Sequence, residues 1–118
     1  MSKDNLNQCP PLPQKRAHLP LNIPISKKDF ERIQAGFVPK DTDDRWYVHY
    51  KDGEIHFHRS WTGFCIFQLH VQPDKQSYCI TDGWVNRDPD QYRSNNLDDD
   101  RDLLFGLFKV LFGIELKP

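Results

Sequence analysis

The segment that most constrains the fold is 45–63, RWYVHYKDGEIHFHRSWTG. Trp46, Val48 and Tyr50 alternate with Tyr47, His49 and Lys51; Ile55 and Phe57 alternate with Glu54, His56 and His58. A period of two on both sides of Asp52-Gly53 is the pattern of a β-hairpin, because successive strand side chains point to opposite faces. Asp-Gly suits a two-residue type I′ turn, whose central residues both need positive φ. The turn sets the register: Lys51 opposite Glu54, Tyr50 opposite Ile55, His49 opposite His56, Val48 opposite Phe57, Tyr47 opposite His58. One face is then apolar (Trp46, Val48, Tyr50, Ile55, Phe57) and must be buried, while Tyr47, His49, His56 and His58 share the other.

The rest of the chain must supply what covers the apolar face. A length of 118 residues allows one domain with one modest core. After Gly63, FCIFQLHV (64–71) and SYCITDGWV (77–85) read as two further strands joined by a turn over Gln72 to Gln76, which makes a four-stranded antiparallel meander. Which face His70 joins depends on the length of the loop before its strand. Ser26 followed by Asp29, with Phe30, Ile33 and Phe37 on one side, predicts a short capped helix ended by Gly36 and Pro39. Asp98, Asp99 and Asp100 ahead of Leu103, Leu104, Leu107, Phe108 and Leu111 predict a longer amphipathic helix that packs across the sheet. The fold class is therefore α+β.

Proline density sets the N-terminal boundary. Pro10, Pro11, Pro13, Pro20 and Pro24 exclude helix and central strand. Residues 1–18 are expected to be a disordered tail and 19–118 the single domain, with Leu19, Leu21, Ile23 and Ile25 laid against it as an apolar strap. No run approaches the roughly 20 apolar residues of a membrane span, and MSKDNLNQ is not a hydrophobic signal segment, so a cytoplasmic protein is expected. The odd count of cysteines, Cys9, Cys65 and Cys79, without CxxC spacing, predicts free thiols. With 16 basic against 17 acidic residues there is no global field for nucleic acid.

Three groups of residues carry possible chemistry. Arg59-Ser60-Trp61-Thr62-Gly63 combines a guanidinium, two hydroxyls and a ring where the chain turns, a composition suited to an anion with an aromatic group. Trp84, Asn86, Arg87 and Tyr92 leave the fourth strand at the same end of a meander and are expected to converge on that turn. The plain alternative ties either arginine to Asp82, Asp88 or Asp90. The third group is His49, His56 and His58, which the hairpin register sets within reach of one metal ion; a polar surface on which histidine is merely tolerated is the bland counterpart. Asp41, Asp43 and Asp44 lack the glycine and closing glutamate of a calcium loop. No GxSxG, P-loop, HExxH or dinucleotide-binding glycine pattern occurs.

Taken together, the residues point to a small intracellular binding module that needs no cofactor. Its expected ligand is anionic and nucleotide-like or phosphorylated, held by Arg59, Ser60, Trp61, Thr62, Trp84, Asn86, Arg87 and Tyr92. Two alternatives stay open. One is a protein-interaction domain of inhibitor or immunity type, with Tyr47, Trp61, Trp84 and Tyr92 as the contact surface. The other is a histidine-based or metal-dependent enzyme of phosphodiesterase type, with His56 and His58 as acid and base.

Overall fold

The computed structural model describes residues 10–116. Cys9 and the first nine residues of the expected tail lie outside the described residues. The architecture is α+β: one antiparallel sheet of five strands, covered by two helices. In chain order the elements are β1 (Arg16–Ile25), α1 (Lys27–Ala35), β2 (Trp46–Lys51), β3 (Glu54–Arg59), β4 (Cys65–Asp74), β5 (Ser77–Asn86) and α2 (Leu97–Phe112). The sheet order is β1-β5-β4-β3-β2. No helix among the described residues is long and apolar enough to cross a membrane.

The hairpin forms in the register its turn dictates. Asp52 and Gly53 take φ of 53° and 82°, as a type I′ turn requires. All the expected pairs are present, and Trp46↔Arg59 adds one more. The sheet departs from expectation at its other edge. The apolar strap is a fifth strand, paired with β5 from Arg16↔Asn86 to Ile25↔Tyr78, so the sheet has five strands rather than four, the first starting at Arg16. Leu19, Leu21, Ile23 and Ile25 alternate between buried and exposed neighbours, the period of a half-covered strand. Proline is compatible because β1 lies at the edge, where every second N–H has no ladder partner to lose. β4 likewise runs on through Pro73, and the turn tightens to Lys75-Gln76, with Lys75 at φ 57°.

Both helices lie on one face of the sheet. Ser26 caps α1, its Oγ accepting from the Asp29 amide at 3.1 Å. Phe30 stacks on Tyr78 with centroids 3.7 Å apart and meets Tyr50 edge-on. Gly36 ends α1 at φ 74°, where a Cβ would stand 2.6 Å from the Val48 carbonyl oxygen; only glycine allows the chain to pass so close to β2. Asn96 caps α2 by accepting from the amides of Asp98 and Asp99. Leu104, Leu107 and Phe108 then join Val48, Ile55, Phe57, Phe67, Leu69 and Val85 in one core.

Among the described residues the second face carries no helix, and the register lines up its side chains in rows. One row runs across all five strands: His18, Trp84, Gln68, His56, His49. The adjoining row is Pro20, Asp82, His70, Glu54, Lys51. His70 therefore shares this face, and with His58 opposite Tyr47 all five histidines of the chain stand on it.

Candidate metal centre

His49, His56 and His58 come together where β2 and β3 pair. Each offers a ring nitrogen, and the three atoms lie within 4.8 Å of one another. The rings are nearly parallel: His49 lies 4.7 Å from His56 and 5.2 Å from His58, centroid to centroid. Two features of the sequence produce this. His-x-His puts two imidazoles on one side of β3, and the Asp-Gly turn puts the third directly across from the first.

The hydrogen bonds fix which nitrogens face inward. His58 is buried, and its Nδ1 lies 3.0 Å from the Gly63 carbonyl oxygen. A carbonyl only accepts, so Nδ1 carries the proton and donates, and in the neutral ring Nε2 is left as a lone pair. That lone pair meets His49 Nε2 at 3.2 Å. The Gly63 carbonyl is in place because the 60–63 loop folds back on the strand end: the Gly63 amide donates to Arg59 O at 2.7 Å and the Arg59 amide to Phe64 O at 2.9 Å. Orientation of a ligating imidazole by a backbone carbonyl on its far nitrogen is the usual outer support of a metal-bound histidine.

The electrostatics hold the rings neutral. Burial, then the charges that His56, His58 and Lys51 would present, lower the His49 pKa from 6.5 to about 4. Burial lowers His56 as well; Glu54 opposes this and Lys51 adds to it. His58 is lowered by burial against the opposing effect of its bond to Gly63, with His56 contributing further. Neutral imidazole is the form that binds a metal. Glu54 is engaged elsewhere, its Oε2 accepting from Gln68 Nε2 at 2.7 Å.

The residues expected to hold an anion are distributed differently. Arg87 does leave β5 at the expected end, but it is ion-paired with Asp100, a fully buried carboxylate at the start of α2, and donates to the carbonyls of Asn86 and Ser94. Tyr92 donates to the other oxygen of Asp100 at 2.7 Å, and burial together with that carboxylate raises its pKa. Asn86, buried, donates to Cys65 O and Gln91 Oε1. These three residues thus form a network that closes the β5–α2 connection. The arginine's partner is Asp100 rather than Asp82, Asp88 or Asp90, and the clue was available: Asp100 is in helical register with Leu104, Leu107 and Leu111, on the buried side of α2.

Arg59 lies on the helix-covered side, its guanidinium 5.1 Å from the Trp46 ring centre. Ser60 is buried and donates to Asp44 O at 2.7 Å, while Thr62 Oγ1 accepts from the Phe64 amide. Trp61 is 68% exposed. It donates to Thr42 O, lies under Arg45, and with Ser60 and 39–42 lines a cleft of about 230 Å³. Trp84 sits on the helix-free face beside His18, whose Nε2 is hydrogen-bonded to Asp82. The eight residues thus have different partners, Asn86, Arg87 and Tyr92 in the network around Asp100 and Cys65, Arg59 to Thr62 in their own loop, and Trp84 on the second face. Of the four aromatic rings expected to form a contact surface, Tyr92 is turned to Asp100 and Tyr47 stacks on His49 and His58. Cys79 is a free thiol, and the buried Cys65 Sγ donates to Phe67 O at 3.4 Å.

Compared with known proteins, the chain matches no family model, no curated protein and no solved structure. Fold and site define the molecule on their own terms: a small antiparallel α+β domain with a three-histidine cluster on its uncovered sheet face.

Proposed function

We propose that this domain binds a divalent transition-metal ion of the zinc class through His49, His56 and His58. The observation that carries the reading is the Nε2 to Nε2 distance of 3.2 Å between His49 and His58, with the far nitrogen of His58 held by Gly63 O. Two nitrogens on a tetrahedral zinc at about 2.0–2.1 Å from the metal stand about 3.3 Å apart. The pair is therefore already at the edge length of a coordination tetrahedron, and His56 offers a third nitrogen within 4.8 Å of both. Imidazole nitrogen suits zinc, copper, nickel and iron over calcium or magnesium, which take oxygen.

The anion-binding reading has less support, since Arg87, Asn86 and Tyr92 are engaged with Asp100, Cys65 and Gln91. The test is calorimetric titration of the full chain with zinc chloride, beside His56→Ala and Arg59→Ala. One equivalent bound by wild type and Arg59→Ala, with affinity at least tenfold weaker in His56→Ala, supports the metal reading. Equal titration curves for wild type and His56→Ala remove it.

A further inference from the structure

Resting on that reading, we propose that the ion's fourth coordination position is a reactive one: it holds a water that the zinc converts to hydroxide, and the hydroxide hydrolyses small carboxylic esters. The donor set is the first support. Among the described residues the ligating cluster contains three histidines and no cysteine or carboxylate. Structural zinc sites are closed by four protein ligands, whereas three protein ligands leave a position for water and exchangeable substrate. Three neutral imidazoles also leave the +2 charge of the ion uncompensated, and a zinc ion so held brings the pKa of its water to about 7.

Placement on the fold is the second support. His58 is buried at the base of the cluster, while His49 and His56 are half-exposed on the face that no helix covers. An ion seated on them keeps its free position toward solvent. Glu54, in the adjoining row, has one oxygen on Gln68 Nε2 and is not part of the three-histidine cluster. An open face adds little binding energy from a bulky acyl group, so reactivity rather than fit selects the substrate, and small activated esters are favoured.

The step balances. The zinc-bound hydroxide oxygen attacks the carbonyl carbon, a C–O bond forms, and the bond to the alcohol oxygen breaks as the intermediate collapses. The acid departs as carboxylate and the alkoxide takes a proton. A new water binds the zinc and gives its proton to solvent, so ester and water become carboxylate, alcohol and one proton.

The experiment follows 4-nitrophenyl acetate hydrolysis by the zinc-loaded full chain over many turnovers, after calorimetry has shown that zinc is bound. The expected result is a rate at least tenfold above free zinc at equal concentration, removed by EDTA and restored by added zinc, and reduced to the free-zinc level in His56→Ala. One equivalent of bound zinc with turnover no faster than free zinc overturns the catalytic proposal and leaves metal binding standing. A rate unchanged after metal removal also overturns it, since the imidazoles alone would then be responsible. Absence of zinc binding removes both readings.

Discussion

The pH dependence of zinc affinity tests the cluster most directly, because protons and metal compete for the same nitrogens. A histidine with the ordinary pKa of about 6.5 is half neutral at pH 6.5 and about 3% neutral at pH 5, a loss of roughly 16-fold in available ligand. Three such ligands together would lose about 4000-fold in affinity over that interval. His49, with its pKa near 4, stays neutral throughout and removes one of the three factors. His56 and His58 are lowered as well and reduce the remainder. The expected loss between pH 6.5 and 5 is therefore below about 300-fold. Burial weakens the site for the cation as it does for the proton, but equally at both pH values, so the ratio isolates protonation. The interval also stays below the ionisation of a zinc-bound water near pH 7. Competition against a chromophoric chelator of known pH-dependent affinity gives the ratio, with circular dichroism confirming the fold at both ends. A loss of a thousandfold or more would mean that the rings titrate as free histidines, and the cluster geometry would be wrong.

The same groups make the fold acid-sensitive. Unfolded His49 takes a proton near 6.5 and folded His49 only near 4, so stability is fully present above pH 6.5 and declines as the pH falls towards 4. The upper limit is about 3 kcal/mol, which solvent around the half-exposed ring reduces to about 1–2 kcal/mol; urea midpoints that stay level from pH 7 to 4.5 would contradict it. Asp100→Ala leaves the Arg87 charge and the Tyr92 hydroxyl without their buried partner and is expected to cost about 3 kcal/mol or more in urea unfolding. Zinc affinity of the folded variant stays unchanged, because α2 packs on the opposite face; a cost under about 1 kcal/mol would show the network to be dispensable. Gly36→Ala must resolve a contact of 2.6 Å with the Val48 carbonyl at positive φ and is expected to lose about 1–3 kcal/mol, read as a lower thermal midpoint.

Much of the architecture is legible in local pattern. The alternation of 46–58 about Asp52-Gly53, the Ser26 cap and the apolar stripe of α2 each rest on interactions within a few residues, and such interactions are written in adjacent letters. The place of 16–25 was not legible, because the same proline-interrupted alternation suits a strap or an edge strand, and only an open β5 edge to pair with decides between them.

The site divides in the same way. By itself the sequence determined that His49 faces His56 and that His56 and His58 share a side, since a two-residue turn and a period of two leave no other arrangement. Only the tertiary structure decided that the Gly63 carbonyl would orient His58, that no helix of the described residues would cover the trio, and that Asp100 would be the carboxylate that meets Arg87. Those outcomes depend on which distant surfaces meet. A buried carboxylate thirteen positions along the chain from Arg87 attracts it more strongly than any solvent-exposed neighbour, because the attraction between charges grows as water is excluded from between them.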